Sequence, residues 1–300
     1  MRSFRWPPPP DGKSKRWPAP RGRDEPGRPL LSLTPTELRA MPNGATLEYF
    51  IAGEGDPGTV FAHGLAGGIP DTRPLGSGVV GRKIFFQFRG HGRSDMPAGE
   101  VTYADLATDL RAVADEFGAR RALGVSLGAG ALCRLLAQTP DRFERMVFFL
   151  PAVLDEVRPA AAMARAAALL EAVQADDAPT AASLLSADIP AGLRDRPAAW
   201  RYVRERLDAL LKDGLAAGLA DLPVQVALPD RTVLAAVTAP ALVIGCRGDA
   251  AHPPGVAEQL AASLGNATLH IYDQPSVLWT NRTDLRTRVA GFLNDTGAGS

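Results

Sequence analysis

Cysteine is scarce: the 300 residues hold two, Cys133 and Cys246, far apart in a chain rich in Ala, Gly and Pro. That excludes a disulfide-stapled mini-scaffold and reads as buried thiols in a reducing compartment, so a cytoplasmic location is expected. Net charge is missing too. Lys and Arg together number 33, as do Asp and Glu, and without an overall field neither nucleic acid nor an anionic membrane is an expected partner. No apolar run reaches the roughly 18 residues of a spanning helix. The opening MRSFRWPPPP lacks the apolar stretch of a secretory signal, so neither membrane insertion nor export is expected. Of the four histidines, His63, His91, His252 and His270, no two stand at i, i+4, and the cysteines are unpaired in sequence. No metal constellation is visible, and no cofactor is expected.

What is present suits one large domain with an insertion: 46% apolar, 22% charged and 6% aromatic residues. Residues 1–29 stand apart as a basic, Pro-rich arm. Its first 28 residues carry eight basic side chains against Asp11, Asp24 and Glu25, with prolines at 7–10 and no apolar periodicity, which reads as disorder. Beyond it, β-rich runs fall at 46–51, 59–62, 83–88, 122–125, 146–150, 241–246 and 268–272. Helical patterns separate most of them; Leu106, Leu110, Val113 and Phe117, spaced four, three and four, mark one face of a helix over 102–117. Alternating strands and helices predict an α/β fold, a mostly parallel sheet with helices on both faces. The alternation stops at Pro151 and resumes at Val237, and the stretch between is helical in pattern over 159–173 and 198–219. A crossover needs only a dozen or so residues, so 151–238 is expected to be an inserted helical cap, and 30–150 with 239–296 the core.

The most informative stretch is GVSLGAG at 124–130, a strand running into a helix through G-x-S-x-G. Such a turn holds its serine in a strained conformation with neighbouring chains pressed close, and Gly124 and Gly128 remove the side chains that would collide. Ser126 then stands exposed at a helix N-terminus, where the Leu127 amide faces negative charge developing on a carbonyl. HGLAGG at 63–68 follows another strand and can bring in the Leu65 amide as a second oxyanion donor, with His63 orienting the loop. FRGHGRSD at 88–95 shapes a further loop at the same sheet end. GVSLGAG lacks the Lys of a phosphate-binding P-loop, so no nucleotide site is expected.

With APALVIGCRGDAAHP at 239–253, these motifs in this order resemble the α/β-hydrolase superfamily, particularly the esterase, lactonase and enol-lactone hydrolase group with a helical cap. The resemblance covers about residues 30–293 and implies the α/β-hydrolase fold, with Asp249 as the acid that orients and stabilises an imidazolium. It also implies a base in the loop after the last strand, where this sequence has no histidine. Family spacing puts Ser276 at that place, with Asn281 a second occupant, and neither takes a proton near neutral pH as imidazole does. Gln87 is a second departure, standing where many relatives have Asp. His252, in the acid loop, and His270, inside a strand, are the candidate substitute bases. Cys246, within a strand, reads as an inert thiol rather than a nucleophile.

The expected function is hydrolysis of a carboxylic ester or lactone through Ser126 and Asp249, on an apolar or mixed small molecule suggested by the Ala- and Leu-rich insertion. The base position at Ser276 or Asn281 is expected to be vacant, by natural loss or by deliberate replacement. The alternative is a non-hydrolytic lyase or cyclase, or an inactive ligand-binding member, because an oxyanion hole without a base still polarises a carbonyl.

Overall fold

The computed structural model describes residues 35–96, 99–210 and 221–295. The basic arm expected over 1–29 lies outside them, as does the end of the helix read to Leu219. One eight-stranded sheet runs in the order β1-β2-β4-β3-β5-β6-β7-β8. The strands are β1 (Glu37–Ala40), β2 (Thr46–Ala52), β3 (Gly58–Ala62), β4 (Lys83–Phe86), β5 (Ala119–Val125), β6 (Arg145–Phe149), β7 (Ala241–Cys246) and β8 (Ala267–Tyr272). β2 pairs antiparallel with both β1 and β4, and every pairing from β4 to β8 is parallel.

The side chains sort by the two-residue period of a strand. Val60, Ala62, Ile84 and Phe86 point into one core layer, whereas Phe61, Phe85, Leu123 and Val147 point into the other. The first layer is covered by α1 (Tyr103–Glu116), whose Leu106, Leu110 and Val113 join it, and by α2 (Leu127–Leu136). The Thr102 side chain caps α1 by accepting from the Asp105 amide, and the Asp105 carboxylate accepts in return from the Thr102 amide. The second layer is covered by α7 (Arg282–Asn294), through Leu285, Val289 and Leu293.

Between β6 and β7 lie α3 (Ala160–Gln174), α4 (Ala178–Ser186) and α5 (Pro197–Leu210), and α6 (Pro254–Ser263) follows β7. These three inserted helices build an apolar cluster of their own, centred on Ala178, Ala181, Val203 and Leu207. Ala66 of the loop after β3 belongs to the same cluster, which seats the insertion over that loop. The insertion with its own core is narrower than 151–238. Val153 and Leu154 before it, and Leu222, Leu228, Leu234 and Val237 after it, pack into the main core.

Two elements depart from the sequence reading. β1 has an exposed ELRA sequence with little β character and exists through its antiparallel pairing with β2. α4 starts where Asp177 accepts from the Thr180 amide with Pro179 in the first turn, a start signal the periodicity did not single out.

Candidate functional site

β5 delivers Ser126 to the carboxyl edge of the sheet, and α2 begins at the next residue. Ser126 has φ 50° and ψ −108°, a conformation L-residues avoid, and its amide donates to the Phe149 carbonyl of β6 at 3.0 Å. The neighbouring glycines are needed for room. A Cβ on Gly128 would lie 2.4 Å from the Ala62 carbonyl oxygen, and one on Gly124 would lie 2.6 Å from that of Gly128.

The loop after β3 meets this turn. A Cβ on Gly64 would lie 3.4 Å from the Ser126 Cβ, so the HGLAGG backbone runs directly beside the serine. Two buried imidazoles hold it there. His63 Nε2 accepts from the Phe88 amide at 3.0 Å, which leaves Nδ1–H to donate to the Gly64 carbonyl at 2.8 Å. His91 Nε2 accepts from the Ala66 amide at 3.3 Å, and its Nδ1 reaches the Arg89 carbonyl at 3.2 Å. These bonds require neutral rings. Burial, first, pushes His63 down to about 4 and holds His91 well below the ordinary histidine value. From α5, Arg206 stacks over the Tyr202 ring and donates to the Leu65 carbonyl at 3.2 Å. Among the described residues neither the Leu65 nor the Leu127 amide donates to another group.

The loop after β7 corrects the expectation of a vacant base. Asp249 accepts from the amides of Ala251 at 2.9 Å and His252 at 3.1 Å, so the loop wraps around its carboxylate. This wrapping aims the His252 ring. Its Nδ1 stands 2.9 Å from Asp249 Oδ2 and its Nε2 stands 2.9 Å from Ser126 Oγ. An imidazole therefore bridges serine and carboxylate, three residues after the acid rather than after β8. Burial raises the Asp249 carboxyl, but the bond from His252 and the two amides outweigh it, and the net shift is downward. The side chains of Asp249 and His252 remain about one-fifth exposed, so the site is open to small molecules.

The sequence matches the α/β hydrolase fold family over residues 60–275. The chain belongs to this family. No curated protein sequence shows significant similarity to this α/β hydrolase. Among solved structures, a hydrolase from Pseudomonas aeruginosa shares 26% identity at a TM-score of 0.71, with 88% of this chain and 100% of that chain covered. An esterase from Exiguobacterium antarcticum has a TM-score of 0.73 at 16% identity, covering 86% of this chain and 99% of that one. The enol-lactonase from Burkholderia xenovorans has a TM-score of 0.70 at 23% identity, covering 86% and 100%.

The other sequence candidates lie outside the bridge in this α/β hydrolase. Ser276, at φ 63°, donates from Oγ to the Asp188 carbonyl at 2.7 Å and so ties the loop after β8 to the inserted helices. The Asn281 side-chain amide donates to Thr280 Oγ1 at 3.0 Å, and Asn281 caps α7 without a side-chain bond. Neither fills the space between Ser126 and Asp249, which His252 occupies. His270 packs edge-on to Tyr272 on β8, and its Nε2 has no hydrogen-bond partner among the described residues. Cys246 is fully buried, with its thiol pushed up to about 12, chiefly by burial. Among the described residues there is no metal-binding cluster, and no helix is long and apolar enough to cross a membrane.

Proposed function

We propose that this α/β hydrolase cleaves carboxylic esters or lactones by a serine mechanism in which Ser126 is the nucleophile, His252 the base and Asp249 the acid. The continuous Ser126–His252–Asp249 hydrogen-bond line carries the reading. Asp249, held ionised, accepts from His252 Nδ1–H and leaves Nε2 free to take the Ser126 proton as Oγ attacks the carbonyl carbon. The oxyanion forms against the Leu65 and Leu127 amides, which donate to no other group among the described residues, at the N-terminus of α2. His252 then gives its proton to the departing alkoxide, and the ester oxygen leaves as an alcohol. In a lactone that oxygen stays tethered to the acyl group. Water repeats the sequence on the acyl-enzyme, its proton passing through His252 back to Ser126 as the acid is released.

The inserted helices act as a cap, with Arg206 fixing the Leu65 peptide from above. Esterase and enol-lactonase are the names of two similar structures and support the substrate class. The lyase or binding-protein alternative drew its force from a missing base, and His252 removes that motive. An organophosphorus ester probe tests the reading: it should attach to the native chain at Ser126 and not to Ser126→Ala. A native chain that stays unlabelled under conditions that label a control esterase refutes the serine mechanism.

A further inference from the structure

β5 carries Ser126 beyond its carboxyl end, and Arg121 stands near its start, about 16 Å away along the strand. There Thr59, Arg121 and Arg145 lie side by side on β3, β5 and β6. Arg121 and Arg145 border a cavity of about 630 Å³, whose wall also holds Arg120, Asp56, Glu144 and Asp295. Each carboxylate already has its own arginine. Glu144 pairs with Arg120, Asp295 with Arg145 at 2.9 Å, and Asp56 with Arg82 at 3.0 Å, and all three acids are at least half exposed.

Arg121 is left over. It is only 5% exposed, its Nε and Nη1 have no hydrogen-bond partner among the described residues, and the Thr59 hydroxyl beside it is likewise unpartnered. With Arg82, which pairs with Asp56 from outside the cavity wall, four arginines stand against three carboxylates, and the excess positive charge falls on Arg121. A guanidinium does not deprotonate in a protein, so it cannot relieve the burial by becoming neutral, as a lysine or histidine does. An enclosed, unpaired charge is costly unless something supplies the missing acceptor. Arg145 and Arg120 increase the cost by repulsion, and Glu144 offsets only part of it. The cavity is the side from which an acceptor approaches the guanidinium, Nε and Nη1 themselves being closed to solvent, and its volume exceeds what a counter-ion alone requires.

We propose that this cavity binds a tetrahedral oxyanion, inorganic phosphate or the phosphate of a small phosphomonoester, with Arg121 as its principal partner. The guanidinium offers planar donors that match phosphate oxygens, and Arg145 and Arg120 flank the approach. The site lies at the opposite end of the sheet from Ser126 and is independent of the ester chemistry proposed there.

The test is a thermal melt and a calorimetric titration of the full chain, with inorganic phosphate against chloride at matched ionic strength. Phosphate should raise the native Tm by several degrees more than chloride does and give a saturable heat. Arg121→Met should abolish both effects and, in phosphate-free buffer, melt no lower than the native chain, because it removes an unpaired buried charge. Should Arg121→Met fail to fold, Arg121→Lys keeps charge and stem but loses the planar donors, and should weaken phosphate binding tenfold or more. A parallel titration with glycerol phosphate identifies the source, tighter binding than inorganic phosphate marking a phosphorylated metabolite. Equal phosphate stabilisation in native and Arg121 variants, or none beyond chloride in the native chain, overturns the proposal. Ester turnover is not read, so the result stands whatever the organophosphorus probe shows.

Discussion

Two buried histidines that hold the loop after β3 have opposite demands from the one at Ser126. His63 and His91 must stay neutral, since each accepts a backbone N–H on one nitrogen while the other reaches a carbonyl. Folded His63 takes a proton only at about pH 4, against an ordinary value of 6.5. Between those values the unfolded chain binds more protons, so stability is complete above about pH 6.5 and falls as the pH drops through the folded value. For His63 alone the loss is on the order of 3 kcal/mol. Urea unfolding at pH 7 and pH 4.5 should show it, and His63→Asn should flatten the difference; an unchanged slope in that variant would place the acid sensitivity elsewhere. The role of His63 as an orienting group was legible from its tight glycine turn. His252 was harder to read, because periodicity and spacing describe a strand and its following loop but not the closure of that loop on itself. The usable signal was local: an Asp whose carboxylate can accept the amides two and three residues on draws the third side chain back toward itself, and Pro253 then fixes the start of α6.

Among the elements, the turn from β5 into α2 bears the tightest packing. A methyl group at Gly128 would press to 2.4 Å from the Ala62 carbonyl oxygen, a backbone atom that cannot swing aside. Gly128→Ala should therefore destabilise the fold by about 2 kcal/mol or more, read as a lowered denaturation midpoint at unchanged m-value. An unaltered midpoint would mean that α2 shifts without penalty. The elements legible in the sequence were those with a buried face: β3 and β7, enclosed along their whole length, and α1, whose apolar stripe was plain. β1 was not, since its four exposed residues owe their conformation to a neighbour rather than to their own character. An insertion over 151–238 was expected from its length alone, and length says nothing of packing: Leu228 and Leu234, inside that range, pack in the main core.

On the scale of the whole molecule, stability resides in the sheet and its two helical layers. Removing Met1 to Arg28 should leave Tm within about a degree of the native value, since that segment has no apolar face to bury; for a domain of this size a drop of several degrees means more than about 1 kcal/mol lost. The order of motifs along the chain sufficed for the fold; it offered Ser126 and Asp249 as candidates, and it treated His252, which bridges them, only as a substitute for a base expected after β8. That relocation is the central claim, and turnover of a short p-nitrophenyl ester by the native chain, His252→Ala and Ser276→His tests it most directly. His252→Ala should lose about 10²- to 10⁴-fold in kcat while folding normally, and Ser276→His should gain nothing over the native chain, which already has its imidazole in place. Native-like turnover by His252→Ala, or a large gain from Ser276→His, would contradict the assignment.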